Sequence, residues 1–406
     1  MIAETAYKNS FDMIYLATCA LRNVIPEDEV MEAMDFNMVY HLAKNQTMTA
    51  VTFYGLELWP GAKKAVEPEL WAKWKDMRDK AIRKNMLFDM EREKLFSFME
   101  EAGIWYMPLK GSVMKELYPQ MGMRQMADND ILFDAAYRAK VYEYMIEQGY
   151  ESEAYDPKLV ADVDNEQLGI VHDVYMRQPV YNFEMHLALF GKTRDSRWLA
   201  YYENVKERLI KNDGSNYGYH FKDEDFYVYI TAHACKHFYD GGHGIRNLMD
   251  IYVYLTEKPN LDRSYLNKEL DALGLSEHEN VMRSLAEKLF GADFKEIRKE
   301  ITILSEKEQE ILSICLSSGT YGTQKRLIEN NLKKMNGNEQ ITLKEQLKYL
   351  FRRLIPEEEI LLIRYPKLAS KKYLLPLCVL IRIAEGAIHA PKRLWKEFKC
   401  IWKAKN

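Results

Sequence analysis

Only five cysteines occur in 406 residues, Cys19, Cys235, Cys315, Cys378 and Cys400, and none forms a C-x-x-C pair. The number is odd and the spacing wide, which argues against a disulfide framework or a zinc ribbon and suits a reducing compartment. Long apolar runs are also missing. The longest, residues 373–381, contains Pro376 and stops at Arg382, well short of the ~20 residues that a membrane span requires. Glu4 stands where a secretion signal carries basic residues, so no export signal is expected and the location is read as cytoplasmic. Neither sign of charge dominates: 57 Lys and Arg face 61 Asp and Glu, a formal net charge of −4. That balance argues against a general nucleic-acid binder, which is basic over a whole face. Internal repeats and low-complexity linkers are lacking too.

What is present is globular material, 47% hydrophobic and 29% charged. At roughly 150 residues per domain the length suits two or three domains. Residues 67–101 carry Leu70, Trp74, Met77 and Ala81 at spacings of three and four, so a helix is predicted, with Pro68 in its first turn and Gly103 just past its end. The texture then changes. Residues 104–109 and 130–133 read as strands, 137–148 as a helix stopped by Gly149, and 171–175 and 180–187 as a hairpin around Arg177-Gln178-Pro179. From about residue 200 the pattern is helical again. The expected fold is α+β: a helical region over 1–100, an α/β core with a mixed sheet over 101–195, and a helical region over 196–406.

The informative block is residues 108–133, PLKGSVMKELYPQMGMRQMADNDILF. Asp128 and Asp130 are two apart, which on a strand puts both carboxylates on one face and Asn129 on the other. Such a pair is either a solvated turn or a shared cation site, and carboxylate oxygens are what Mg²⁺ prefers. Gly111-Ser112 lies between a strand and a helix, where small residues let backbone N–H groups and a hydroxyl approach a phosphate, with Lys110 as a counter-charge. On residues 181–187, Phe183, Met185 and Leu187 alternate with Asn182, Glu184 and His186, so Glu184 could join the aspartates from another strand. Three carboxylates plus a small-residue turn is the layout for metal-assisted phosphoryl or nucleotidyl transfer. His172-Asp173 alone is not read as a metal motif.

A Gly-Ser turn followed by Asp-x-Asp and a third carboxylate on a later strand resembles the polymerase-β-like nucleotidyltransferase superfamily. Leu109-Lys110-Gly111, Tyr118-Pro119 and Arg124 four residues before Asp128 resemble one bacterial branch, the uncharacterised nucleotidyltransferases. So do Phe183-Glu184-Met185-His186, His233-x-x-x-His237 followed by Arg246-x-x-x-Asp250, and Arg364-Tyr365-Pro366 with Leu374-Leu375-Pro376 and Arg382. The resemblance implies a minimal nucleotidyltransferase core using an NTP, with ATP expected, and one or two Mg²⁺ ions. It implies that Gly111 and Ser112 hold the triphosphate, that Asp128 and Asp130 hold metal, and that Glu184 holds a second metal and activates an acceptor hydroxyl. Asn129 departs from the superfamily, which usually has an apolar residue there. A nucleotidyltransferase fold kept only to bind a nucleotide or a protein is the alternative.

Three further readings complete the expectation. Arg124 either steers the triphosphate or pairs with a nearby Asp. His237 and Arg246 face the nucleotide or acceptor from a helical pair, with Asp250 orienting Arg246, or else these residues only hold the helices together. The zinc reading of His233 and His237 is set aside, because HACKH lacks the Glu of a metalloprotease. Finally, the run that begins at Lys392 and ends at Lys405 places Leu394, Trp395, Phe398, Ile401 and Trp402 on one helical face, with six basic residues opposing one Glu397. It either docks on the body or meets a membrane surface or partner. The acceptor is not identified by the sequence, and nucleic acid is the weakest candidate.

Overall fold

The computed structural model describes residues 2–153, 155, 157, 171–191, 195–291, 301–320, 322–336, 343–355, 361, 365, 368, 371–389 and 391–404. The expected Arg364 and Pro366 of the C-terminal pattern, and Lys405, lie outside these residues. Two compact units are present, each built from separated stretches of chain.

The first unit takes residues 1–130, 204–237 and 242–321. Its longest element is the helix Pro68–Ala102, which starts on Pro68 and ends at Gly103 with φ +71°, a left-handed conformation that glycine adopts without steric penalty. Leu70, Trp74, Ala81, Phe88, Leu95 and Met99 are buried along it, one face at helical period. The helices Ile2–Arg22 and Thr49–Glu57 cross at Gly55, where an added Cβ would meet the Leu16 carbonyl oxygen at 2.0 Å. Only a residue without a side chain permits that approach. The Gln46 side chain joins distant segments, donating to the carbonyls of Cys315 and Leu316 and accepting from the Ile245 N–H. A two-stranded sheet of β6 (Leu209–Lys211) and β7 (Tyr219–Phe221) completes this unit; the labels follow the larger sheet's five strands.

That larger sheet contains β1 (Tyr106–Pro108), β2 (Asn129–Phe133), β3 (Glu151–Ser152), β4 (His172–Arg177) and β5 (Tyr181–His186), in the order β1-β2-β5-β4-β3. The boundary between the units falls inside β2, after Asp130. The predicted hairpin is present: β4 and β5 pair antiparallel, with His172 opposite His186 and Val174 opposite Glu184. The helix Arg138–Glu147 belongs to the second unit, which takes residues 131–203, 238–241 and 322–406. Its Arg138 makes a two-pronged pair with Asp173 at 2.7 and 2.6 Å. Asp173 is thus a structural anchor.

The C-terminal helix Pro391–Lys403 packs on the helix Gln324–Asn336 through Ile328, Leu332, Ile401 and Ala404. The expected single apolar face is divided. Ile401 is buried, but Trp395, Phe398 and Trp402 are 68%, 42% and 56% exposed. The reason is Glu397, which is buried and paired with Arg353 at 2.6 Å. Holding that carboxylate inward rotates the aromatic row outward. No helix among the described residues is long and apolar enough to cross a membrane.

The first unit also buries His243 and half-buries His278. Burial holds His243 down to about 3 and His278 down to about 4, against an ordinary value of 6.5. Their folded forms stay neutral in mild acid, while the unfolded chain takes up protons near 6.5. Below that pH the unfolded state binds more protons, so stability falls as pH falls from 6.5 toward the folded values. At about pH 5 the loss from His243 alone is about 2 kcal/mol. Urea unfolding at about pH 7.5 and about pH 5 checks this. His243→Leu should show a smaller drop between the two than the wild type, and an equal drop would contradict the assignment.

Candidate active site

Asn129 opens β2 and is fully buried. Its Oδ1 accepts from Arg92 at 3.0 Å, and its Nδ2 donates to the Phe88 carbonyl at 3.4 Å. Both partners come from the helix Pro68–Ala102. A polar residue between the two aspartates is therefore accounted for by hydrogen bonds across the strand–helix contact, where an apolar residue would leave Arg92 without this acceptor. Strand alternation then turns Asp130 the other way.

Asp130 is 3% exposed and lies 2.5 Å from the Lys110 ammonium. Lys110 itself has φ +44°, an uncommon value for a residue with a side chain. The Leu109 N–H donates to the Asp130 carbonyl, which joins the segment after β1 to β2. Asp128 sits one residue before β2 rather than within it, and is half-buried. Its charge acts on Lys84 and Arg124. The Lys84 ammonium donates to the Ala127 carbonyl at 3.0 Å. Burial lowers its pKa, and Asp128 opposes that shift. Lys84 was missed by the sequence reading, since nothing in its own helix separates it from a solvated lysine.

The turn after β1 is tight for a reason of packing. A Cβ on Gly111 would meet Arg124 Nη1 at 2.6 Å and Met126 Sδ at 2.9 Å. Ser112 is buried; its N–H donates to the Leu109 carbonyl, and its hydroxyl lies 3.5 Å from Asn129 Oδ1. The expected phosphate-facing hydroxyl is thus turned to the Asn129 side of the strand. There it lines a cavity of about 400 Å³ with Arg92, Phe96, Pro108, His220 and Lys258.

Arg124 has a partner that local sequence does not reveal. Its Nε and Nη2 donate to the two oxygens of Asp250, both at 2.9 Å, and the Tyr118 hydroxyl adds a third bond at 2.7 Å. All three residues are buried. Burial opposes the guanidinium charge, but Asp250 outweighs it, so the Arg124 pKa lies above its ordinary value. Burial and the adjacent Asp250 charge push the Tyr118 hydroxyl far up, so it remains a donor. The expectation that Asp250 orients Arg246 is corrected: Asp250 binds Arg124, and Arg246 Nη1 donates to the Gln125 carbonyl at 3.2 Å. Two arginines thus hold the segment that leads into Asp128. His233 and His237 lie with their Nε2 atoms 3.1 Å apart, one turn apart on the helix Asp223–Asp240, and His237 is exposed.

In the second unit, Glu184 is flanked by two histidines. Its Oε2 lies 3.9 Å from His172 Nε2 and 3.7 Å from His186 Nε2. One ligand atom from each of the three lies within 4.8 Å of the others, close enough to hold a metal ion. His186 shares the Glu184 face of β5 by alternation, and the hairpin register brings His172 opposite it. Alternation signalled His186 in the sequence, but only the register adds His172.

The chemistry available is acidic at β2, where Lys110 pairs with Asp130, and mixed carboxylate and imidazole at β5. No curated protein matches the chain, and no solved structure matches it. The profile of a family described as uncharacterised nucleotidyltransferase matches residues 32–291, well over half of the chain. That span includes Asp128, Asp130, Glu184, the Arg124–Asp250 pair and both histidines of the Asp223–Asp240 helix. The chain belongs to the uncharacterised nucleotidyltransferase family and is a transferase enzyme.

Proposed function

We propose that the chain transfers a nucleoside monophosphate from an NTP, with ATP as the expected donor, to an acceptor hydroxyl. The observation that carries this reading is the pair Asp128 and Asp130 at the entry to β2, within a chain of this family. Their oxygens suit Mg²⁺, the hard cation such donors prefer. When bound, Mg²⁺ would neutralise the triphosphate and favour attack at phosphorus. Lys110, already beside Asp130, supplies positive charge to the phosphates. Gly111 and Ser112 keep the turn there compact. The acceptor oxygen forms a bond to the α-phosphorus, the bridging α–β P–O bond breaks, and the electron pair leaves with pyrophosphate. Glu184, with His172 and His186 beside its carboxylate, takes the hydroxyl proton or holds a second metal in this proposal. His237 and Arg246 face the nucleotide or acceptor in this proposal, and Arg246 also braces the segment before Asp128.

Two measurements test the reading. The double variant Asp128→Asn, Asp130→Asn should keep its far-UV circular dichroism and lose Mg²⁺-dependent pyrophosphate release by a factor of about a thousand or more. Retained release would remove the aspartates from the site, and ADP release by the wild type would make the reaction phosphoryl transfer.

Arg124 is proposed to act through position, since its guanidinium is bound to Asp250. Asp250→Asn should lower unfolding stability by about 3 kcal/mol, because it leaves a buried guanidinium without its counter-ion. An unchanged unfolding midpoint with weaker ATP binding would instead give Arg124 a direct role at the phosphates.

A further inference from the structure

The exposed aromatic row of the C-terminal helix Pro391–Lys403 is ordered rather than scattered. Trp395 and Phe398 stack at 6.2 Å and 18°, and Phe398 and Trp402 at 6.1 Å and 14°. The opposite edge of the helix is fixed. Ile401 and Ala404 are buried, and Gln346 donates to the carbonyls of both. The row is therefore presented outward by a docked helix. Glu397, the helix's one acidic residue, is buried and paired with Arg353, while Lys396 and Lys399 are exposed. The neighbouring helix Leu343–Leu354 repeats the composition, with Leu347 and Phe351 52% and 64% exposed among exposed Lys344, Lys348 and Arg352.

The charge of this stretch decides what covers it. Residues 343–406 hold fifteen Lys and Arg against six Glu, in a chain whose total is −4. The rest of the chain is therefore acidic and this end strongly basic. A second copy of the same face would bring like charges together. An anionic surface with an apolar interior satisfies both features: tryptophan and phenylalanine enter the headgroup boundary while lysines meet the phosphates. The helix is thirteen residues long, about 20 Å at 1.5 Å per residue, which suits lying in the plane of a bilayer.

We propose that this C-terminal face binds the surface of an anionic lipid bilayer, with Trp395, Phe398 and Trp402 inserted at the headgroup boundary. The proposal does not depend on the nucleotidyl-transfer reading, and inactive protein should bind equally well.

Flotation of the full chain tests it, using vesicles of phosphatidylcholine alone and of phosphatidylcholine with about a third phosphatidylglycerol, in about 0.1 M salt. The wild type should float with the anionic vesicles and at least about tenfold less with the neutral ones. Trp395→Ser with Phe398→Ser and Trp402→Ser should weaken anionic binding at least about tenfold, as should Lys396→Glu with Lys399→Glu, and about 0.5 M salt should weaken it further. The altered side chains are exposed, so unfolding midpoints should stay near the wild type's. Failure of the wild type to float with anionic vesicles overturns the proposal. So does binding by both variants that equals the wild type's. So does a wild-type dimer that is lost in the serine variant while neither protein binds vesicles, which would assign the face to a second copy.

Discussion

The direction in which β2 faces is set by one buried side chain. Asn129 is hydrogen-bonded to Arg92 and to the Phe88 carbonyl of the long helix behind the strand. Rotating the strand would bury a carboxylate against that helix and strip Arg92 of this acceptor, leaving polar groups unsatisfied in the interior. With Asn129 fixed, Asp130 must face away, where Lys110 meets it. The arrangement proposed for metal and nucleotide binding rests on that orientation.

A second constraint governs the approach to the strand. Arg124 is buried and tied to Asp250, and Tyr118 shares the same carboxylate. Removing one partner of such a pair leaves an uncompensated charge, so the pair fixes geometry even where its net contribution to stability is small. Gly111 follows from it, since Arg124 Nη1 occupies the space that a Cβ would take. The glycine read as a phosphate-approach residue is thus also required by an arginine thirteen positions away. Arg138 and Asp173 form a similar buried pair in the second unit.

Local periodicity made much of the fold legible. The helix Pro68–Ala102 and its Gly103 stop, the strand Asn129–Phe133 and the β4–β5 hairpin all follow from spacing, breakers and alternation. What periodicity could not supply were partners distant in sequence. Asp250 was assigned to Arg246, one helical turn away, whereas Arg124, far back along the chain, binds it. Lys84 was invisible because its environment is made by a loop of another segment. His172 needed the hairpin register. The C-terminal helix reads as one apolar face, but buried Glu397, paired with the exposed Arg353, divides it. In each case a side chain's role is set by charge pairing or packing across segments, which helical or strand period does not encode.

Asp128 and Asp130 are proposed to form a metal-dependent nucleotide site. The most direct measurement is the unfolding midpoint of the wild-type chain with ATP, GTP, CTP or UTP, each with and without Mg²⁺. A ligand held by the folded state alone at ~100 times its dissociation constant adds about 2.7 kcal/mol. The expected result is a rise with at least one nucleotide, ATP foremost, that requires Mg²⁺. No rise with any of the four in the presence of Mg²⁺, or a rise that is the same without the metal, would contradict it.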